Sequence, residues 1–354
     1  MNKSILFIGI PQTILYSKSI KNSLESLGFT TYEPEFIKFK DQNAIEKRFS
    51  RKKFLTNFFN QQNKKYIEAA EKYKPDFVFV INNSRMSTLF LEYCNNNHIP
   101  IYLYCIDSIR WCDKALEHMH YYTDIFSYEP SDTKIEFSPN KFIKFIPLGY
   151  DENIYQPLPQ IKDKQEIDLC FVGNLDKRRL DILEQVAKYA YKNNKKFIVH
   201  TMLQLDKIPH FWLIPKILVR RLKFKIKYKY LCKCIINKGI IGNDLVELYN
   251  KSKICLNIHI GKHTGLHTGP NPRTFELLGC QAFEIIDAGH ISETTLQHGK
   301  DLIEFHNTEE LIKQIDYYLK VPEERLKIAA AGYNTAHNKY ELSILMSKVI
   351  KYIE

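Results

Sequence analysis

Short apolar runs that alternate with longer amphipathic segments constrain the fold of this 354-residue chain more than any other sequence feature. Within a run the apolar residues are continuous, which is typical of parallel strands buried on both faces. The pattern stops between residues 150 and 163, where Pro157 and Pro159 lie among polar residues, and then begins again. The sequence therefore predicts two α/β domains, each with a mostly parallel sheet covered by helices.

The apolar runs and the amphipathic segments give a full set of predicted elements. Strands are expected at residues 5–9, 77–82, 101–107, 125–128, 142–146, 167–174, 197–202, 254–260, 282–287 and 302–305. Helices are expected at residues 17–27, 86–96, 180–193, 245–252, 274–280, 309–320, 323–336 and 341–352. We expect Rossmann-like domains over 1–150 and 151–335 whose strand ends face a shared central cleft, and a C-terminal helix over 336–354 that packs back on the first domain.

Composition excludes several classes of protein. The chain is 44% hydrophobic and 26% charged, proportions of a chain that buries real cores and is not disordered. No apolar run approaches the roughly 20 residues that span a bilayer, and the N-terminal run is too short for a signal peptide. Eight scattered cysteines without a CxxC pair indicate free thiols, so we expect a cytoplasmic protein.

The Gly- and Pro-rich segment at 269–280 contains the strongest candidate for a binding site. It runs into a predicted helix, and the open backbone N–H groups at a helix N-terminus attract phosphate. Arg273 adds a forked donor for phosphate oxygens, and Glu276 could accept hydrogen bonds from ribose hydroxyls. The alternative is an ordinary loop, helix and strand with a solvated Arg–Glu pair.

A basic segment at residues 209–233 is the second unusual feature. Between residues 222 and 230 lysines alternate with apolar residues, which would give one apolar and one cationic face to an extended chain. With the net charge of +11, this segment could bind an anionic membrane, or a phosphorylated or nucleic-acid acceptor. The alternatives are a lysine-protected edge strand or a packed insertion.

From about residue 127 to its end, the sequence resembles the GT-B glycosyltransferases related to the spore maturation protein CgeB. The matching stretches are Phe-Val-Gly-Asn at 171–174 with Arg178 and Arg179 following, and residues 248–257, 271–280, 309–319 and 322–329. The resemblance implies a GT-B fold, a nucleotide-sugar donor bound by the C-terminal domain and an acceptor bound mainly by the N-terminal one.

The same resemblance implies roles for individual residues. Glu276 would bind the donor ribose, and Arg273 with Arg178 or Arg179 would face the diphosphate. Gly173 would allow the backbone to approach the donor closely. The flanking residues Asn174 and Asn271 complete the predicted donor site. One departure is that Thr268 stands where many retaining relatives have the first glutamate of an E-x7-E pair, which leaves the stereochemical outcome open.

Three histidines recur every four residues at His259, His263 and His267. This interval would align metal ligands along a helix, but Gly261 and Gly265 between them indicate a loop, so we predict no metal site. We expect a loop that closes over the donor, with His267 or Lys262 near phosphate.

On the acceptor side, Asp107 follows a buried strand and is the predicted catalytic base, with His118 and His120 as further candidates. An Asp at this position could equally cap the next helix. Residues 82–85, Asn-Asn-Ser-Arg, follow another strand and could line the acceptor site.

With these residues, the resemblance implies a hexosyltransferase-like glycosyltransferase that moves a sugar from a nucleoside diphosphate sugar to a hydroxyl of a glycan, lipid-linked or protein acceptor. No cofactor or metal is expected, because basic side chains would stabilise the departing diphosphate. A sugar transferase that modifies nucleic acid and a non-catalytic nucleotide- or glycan-binding module are the alternatives. The expected location is the cytoplasm, where residues 209–233 could attach the protein to the inner face of the membrane.

Overall fold

The computed structural model describes residues 3–10, 14–37, 51–112, 114–162, 164–202, 214–260 and 269–354. The chain divides into two compact units. Unit 1 is Met1–Leu148 with Leu342–Glu354, and unit 2 is Gly149–Glu341. No helix in the described ranges is long and apolar enough to cross a membrane.

The strands are β1 (Ser4–Ile8), β2 (Thr30–Tyr32), β3 (Phe77–Ile81), β4 (Ile101–Cys105), β5 (Asp124–Ser127), β6 (Glu136–Ser138), β7 (Lys141–Phe142), β8 (Lys144–Phe145), β9 (Ile167–Val172), β10 (Phe197–His200), β11 (Ile235–Ile236), β12 (Ser252–Asn257), β13 (Glu284–Asp287) and β14 (Ile303–Phe305). The helices are α1 (Ile14–Ser26), α2 (Arg51–Tyr73), α3 (Thr88–Asn96), α4 (Ala115–His118), α5 (Pro159–Lys162), α6 (Lys177–Lys192), α7 (Ile214–Lys227), α8 (Asn243–Lys251), α9 (Pro272–Gly279), α10 (Thr308–Lys320), α11 (Pro322–Lys339) and α12 (Leu342–Ile353).

Unit 1 is built on a six-stranded sheet of order β2-β1-β3-β4-β5-β8, in which every pairing is parallel. Every residue of its central strands β3 and β4 is buried. Since successive side chains point to opposite sides of a sheet, both faces of these strands are covered. Leu6 and Val78 belong to one apolar cluster, whereas Ile5 and Phe79 belong to the other. Helix α12 packs its apolar residues into that second cluster.

Unit 2 repeats this plan with the strand order β11-β10-β9-β12-β13-β14, again entirely parallel. The order reverses between the adjacent strands β9 and β12, as in a Rossmann fold. Phe171 on one face of β9 packs against the cluster that includes Leu183 of α6. Cys170 on the other face packs with Tyr249 of α8 and Leu277 of α9.

The two parallel sheets confirm the α/β class, and most predicted strands and helices lie at the expected places. Two predictions about local structure are wrong. Residues 142–146 do not form one strand, because β7 pairs antiparallel with β6 whereas β8 pairs parallel with β5. The lysine-rich segment is not extended, since residues 214–227 form α7.

The lysine-rich segment forms a helix instead of an extended chain because its apolar residues fit two periods at once. Leu218, Leu222 and Ile226 recur every four residues, which suits a helix face, although alternation with lysines is also present from 222 onwards. Pro215 lies in the first turn of α7, where its missing N–H has no cost. Residues 209–213 of the basic segment lie outside the described residues.

Gly332 gives a direct test of how tightly unit 2 is packed. A Cβ at this position in α11 would lie 2.2 Å from the Asp301 carbonyl oxygen and 2.7 Å from Leu278. We expect Gly332→Ala to lower the free energy of unfolding by about 1–3 kcal/mol, the usual cost of overpacking. Helix propensity alone would give the opposite sign, because Ala in a helix is about 1 kcal/mol better than Gly.

Urea unfolding of the purified protein measures this change. Asn334→Ala, at an exposed position of the same helix, is the matched control and should leave the unfolding midpoint nearly unchanged. A more stable Gly332→Ala variant would show that α11 does not approach Asp301 this closely.

Candidate functional site

The carboxyl ends of β9, β12 and β13 bring three chain segments together at one edge of the unit 2 sheet. The strand order reverses between β9 and β12, and ligands of open α/β sheets bind at such a reversal. Gly173 and Asn174 follow β9, Ile258 and His259 follow β12, and Asp287 ends β13. Helices α6 and α9 begin nearby in sequence and supply further side chains.

Gly173 lies at the end of β9, within reach of two arginine side chains. Its φ is +155°, and its N–H donates to the His200 carbonyl at 3.0 Å. A Cβ here would lie 3.4 Å from a guanidinium nitrogen of Arg273 and 3.5 Å from one of Arg179. The sequence-predicted residues Gly173, Arg179 and Arg273 are therefore neighbours in space.

Arg179 is held in place by backbone carbonyls at two strand ends. Its Nη1 donates to the Asn174 carbonyl at 2.7 Å, and its Nε donates to the Ile258 carbonyl at 2.8 Å. The side chain is only 5% exposed. Burial, assisted by the positive charge of Arg273, lowers the pKa of Arg179 to about 10, so the guanidinium is still charged near neutral pH.

Arg273 lies in the first turn of α9, and its Nε is 3.4 Å from the Tyr249 hydroxyl. Although burial opposes its charge, Tyr249 and the Glu276 carboxylate raise the pKa of Arg273 above its ordinary value. In the described parts of the chain, neither Arg179 nor Arg273 forms an ion pair with a carboxylate. Two partly or fully buried cations thus face Gly173, an arrangement that suits an anion such as diphosphate.

The N-terminus of α9 adds to this positive region. Asn271 makes no side-chain cap, because its amide exchanges two hydrogen bonds with the amide of Asn257, at 2.9 and 3.0 Å. Asn257 and Thr274 also donate to one oxygen of Glu284, at 2.8 and 3.0 Å. Burial raises the pKa of Glu284 to about 7, so this carboxyl group, one strand away, offers little fixed negative charge below neutral pH.

Glu276 lies one turn beyond Arg273 and is half-buried. Its Oε1 accepts a hydrogen bond from the Tyr155 hydroxyl at 3.1 Å. Burial raises the pKa of Glu276, while Arg273 and Tyr155 oppose that rise. The carboxylate is held beside the arginine pair, where it could accept hydrogen bonds from a ribose.

The sequence left open which arginine after β9 faces an anion, and the structure separates the two. Arg178 is already paired, since its Nη1 lies 2.8 Å from Asp287 Oδ2 and donates to the His259 carbonyl at 2.8 Å. Arg179 points to Gly173 instead. Of these two arginines, Arg179 is therefore the one that forms no ion pair among the described residues.

A buried cluster of His259, Asp287 and His290 is the part of this region that sequence reasoning missed. Asp287 Oδ1 accepts from the backbone N–H and from Nδ1 of His259, at 3.0 and 2.7 Å. The two imidazole rings stack with centroids 3.4 Å apart. In the sequence, the four-residue interval groups His259 with His263 and His267. The available signal was that His259 and Asp287 follow or end neighbouring parallel strands.

The cluster could in principle hold a metal ion, since its three ligand atoms lie within 4.8 Å of one another. Two features oppose this. The rings are only 11° from parallel, so their in-plane lone pairs do not converge on one point. Asp287 is also already bound to Arg178, whose charge would repel a cation.

The acceptor-side candidates lie in unit 1. Asp107 is exposed, and its Oδ2 accepts from Asn82 Nδ2 at 2.7 Å. Asn82, at φ +52°, also accepts from the N–H groups of Ile106 and Asp107, at 2.7 and 3.2 Å. No helix starts directly after Asp107, so it does not cap one. His118 is buried, with Nδ1 at 3.5 Å from Asn83 Nδ2, and this contact favours a packing role.

Other predicted residues on this side make mainly structural contacts. Arg85 donates to the Ile37 carbonyl at 3.0 Å and lies over the ring of Phe58. His120 is exposed and lies against Tyr121. In unit 2, residues 262–268, which include the predicted His267, lie outside the described residues.

Comparison with known proteins gives matches over both units. Residues 212–349 match a family described as glycosyl transferase-like. The spore protein CgeB of Bacillus subtilis is 21% identical over 297 residues, which cover 79% of this chain and 83% of that protein. Sucrose-phosphate synthase from Thermosynechococcus elongatus has a similar structure, with a TM-score of 0.67 at 11% identity over 99% of both chains. HepE of Anabaena, solved with UDP-glucose, has a TM-score of 0.64 at 10% identity, also over 99% of both chains.

The chain has a GT-B fold. The resemblance to the CgeB-like glycosyltransferases is confirmed, and so is the prediction of two Rossmann-like sheets. The family model and the similar structures support one class of activity, the transfer of a sugar from a nucleotide sugar.

Proposed function

We propose that unit 2 binds the donor as a uridine diphosphate sugar, with Arg179 and Arg273 on the diphosphate. The observation that carries this proposal is the placement of these two guanidinium groups beside Gly173 without a carboxylate partner among the described residues. A diphosphate would neutralise the charges of both arginines and accept hydrogen bonds from their remaining N–H groups. The structures of HepE with UDP and UDP-glucose support the choice of nucleotide.

Within this arrangement Glu276 binds the ribose hydroxyls, and Gly173 allows the diphosphate to approach the backbone. Negative charge grows on the leaving diphosphate as the sugar bond breaks, and preorganised cations stabilise it. Arg179, Arg273 and the N-terminus of α9 supply this stabilisation, so we propose that transfer needs no divalent metal. Eight free thiols agree with the reducing cytoplasm that we propose as the location.

Replacing Arg273 tests the donor site directly. We expect Arg273→Gln to weaken UDP binding by about 10–100-fold, because hydrogen bonds to charged groups contribute about 1.5–3 kcal/mol. Isothermal titration calorimetry with UDP in the presence of EDTA measures the affinity and tests metal independence together. Arg220→Gln, at an exposed position of α7, is the control and should bind UDP like the parent protein.

If Arg273→Gln binds UDP unchanged, the arginine pair does not hold the diphosphate. If the parent protein binds UDP only after a divalent ion is restored, the metal-independent version is wrong.

On the acceptor side we propose that Asp107 is the base that removes the hydroxyl proton of the acceptor. Its exposure and its fixed hydrogen bond to Asn82 support this role, since a base must be reachable and correctly oriented. The acceptor is a glycan, a lipid-linked sugar or a protein hydroxyl. Asn82 acts as a positioning residue through Asp107.

Asp107→Asn separates chemistry from donor binding. We expect transfer to fall by about 10²–10⁴-fold, the usual contribution of general base catalysis, while UDP affinity stays constant. The measurement is release of UDP from a UDP-sugar in the presence of candidate acceptors. Asp244→Asn, which replaces a carboxylate of α8 in the other unit, is the matched control. Full activity of Asp107→Asn would assign the base to another residue.

We further propose that α7 places the protein on an anionic membrane surface. Leu218, Leu222 and Ile226 are 57%, 60% and 66% exposed and recur every four residues, so they form one apolar stripe on the helix. Arg221 and Lys225 flank the stripe on one side, and Lys223 and Lys227 flank it on the other. An apolar stripe between two rows of cations is typical of helices that lie in the membrane interface.

Cosedimentation with vesicles tests this surface. The protein should bind vesicles that contain phosphatidylserine, and the double change Leu222→Ser with Ile226→Ser should reduce the bound fraction severalfold without loss of UDP binding. Leu89→Ser, at an exposed position of unit 1, is the control. Equal binding by the double variant would overturn the proposal, as would salt-sensitive binding to DNA with no vesicle binding, which would favour a nucleic-acid acceptor.

A further inference from the structure

We propose that His259, oriented by Asp287, accepts a hydrogen bond from a hydroxyl group of the donor sugar. This inference rests on the proposed function, because it assumes that unit 2 binds a nucleotide sugar. It assigns a sugar contact to a residue that belongs neither to the arginine pair nor to the ribose-binding carboxylate.

His259 is fixed by neighbouring strands. It lies two residues beyond β12, and Asp287 is the last residue of the adjacent strand β13. One carboxylate oxygen of Asp287 accepts two hydrogen bonds from His259, one from its backbone N–H at 3.0 Å and one from its ring Nδ1 at 2.7 Å. The other oxygen lies 2.8 Å from Arg178 Nη1, so the carboxylate cannot turn without losing an ion pair.

The proton on His259 therefore lies on Nδ1. Burial lowers the pKa of His259 to about 4, against the pull of Asp287, so the ring is neutral near pH 7 and carries a single N–H. Asp287 stays ionised, because its contacts with His259 and His290 outweigh the effect of burial and hold its pKa well below the usual range. An ionised carboxylate at 2.7 Å requires that N–H on the side that faces it.

The opposite ring nitrogen, Nε2, is consequently a hydrogen-bond acceptor. It is buried, in a residue only 6% exposed, and has no hydrogen-bond partner among the residues that the structure describes. His290 stacks against the ring at 3.4 Å, which restricts tilting toward another group. A buried acceptor without a donor costs free energy, and a ligand donor would remove that cost.

The chemistry of the open atom identifies the class of ligand group. Ionised diphosphate oxygens only accept hydrogen bonds, so they suit the arginines and not a lone pair on nitrogen. A sugar hydroxyl can donate. His259 is also close in the chain to the anion site, because the carbonyl of the preceding residue, Ile258, accepts from Arg179. A sugar joined to the diphosphate would extend from the arginine pair toward such a neighbouring acceptor.

The test compares UDP with UDP-glucose as probes. His259→Asn keeps an N–H donor near the position of Nδ1 but removes Nε2. We expect this variant to bind UDP like the parent protein and to bind UDP-glucose about 10–100-fold more weakly than the parent does. His306→Asn, which changes an exposed histidine of unit 2 that contacts Glu310, is the matched control and should bind both probes normally.

The outcomes separate this inference from the function on which it rests. If the parent protein binds neither probe, the proposed function fails. If the parent binds both and His259→Asn binds UDP-glucose equally well, the function stands and the sugar contact is wrong. Equal loss of both probes would show that His259 only supports the anion site, which also overturns the inference.

Nitrogen NMR of the unaltered protein keeps the inference testable if His259→Asn does not fold. The His259 signals should show a protonated Nδ1 and an unprotonated Nε2, and UDP-glucose should shift Nε2 whereas UDP should not. A proton on Nε2 in the free protein would contradict the inference. So would thermal stabilisation by Zn²⁺ alone together with a shift of both imidazoles, since that result would identify a metal site.

The predicted protonation state can be checked against pH in the same spectra. Among the described residues, the charged or titratable groups that act on His259 are Asp287, His290, Arg178 and Arg179. The Nε2 signal should stay unprotonated as the pH falls from about 8 to about 5. Protonation of His259 near pH 6.5, its ordinary pKa, would remove the open acceptor below neutral pH and contradict the inference.

Discussion

Two guanidinium groups that form no ion pair with a carboxylate among the described residues are the constraint on which the proposed donor site depends. Arg179 is buried, and a buried charge is costly unless hydrogen bonds or counter-charges compensate it. Backbone carbonyls at the ends of β9 and β12 provide part of that compensation, because those of Asn174 and Ile258 accept hydrogen bonds from the Arg179 guanidinium. The remaining positive charge is directed at Gly173, where Arg273 adds to it.

The surrounding acidic groups explain why this charge stays available. Asp287 is near, but its ion pair is with Arg178 and its hydrogen bond with His259, so its charge opposes the fall in the pKa of Arg179 without reversing it. Burial raises the pKa of Glu284, which reduces its negative charge near neutral pH. The polar residues at this edge of the sheet thus form two neighbouring regions. One holds uncompensated cations suited to diphosphate, and the other holds an open acceptor suited to a hydroxyl.

Sequence patterns were most informative where one physical rule controls local structure. Continuous apolar runs located the central strands, because parallel strands buried on both faces need apolar side chains at every position. The loop and helix start predicted within 269–280 are present, since α9 begins there with Arg273 in its first turn. Prediction was wrong for residues 214–227, where two apolar periods compete and only helical packing separates them.

Such local rules do not predict the role of a residue whose contacts are to residues distant in the chain. His259 was grouped with histidines near it in sequence, although its contacts are to Asp287 on the next strand and to His290. The burial of His118 could not be predicted either, since it depends on Asn83 and on how α4 packs into unit 1.

By itself, therefore, the sequence determined the α/β class, the parallel sheets and the loop and helix start at 269–280 that carry the proposed anion site, because periodicity, turn residues and charge are local properties of a chain. Only the tertiary structure decided that Arg179 and not Arg178 shares Gly173 with Arg273, and that Asp287 orients His259. These choices depend on which strand lies beside which. Adjacency of parallel strands sets distances between residues far apart in the chain, and no local pattern encodes those distances.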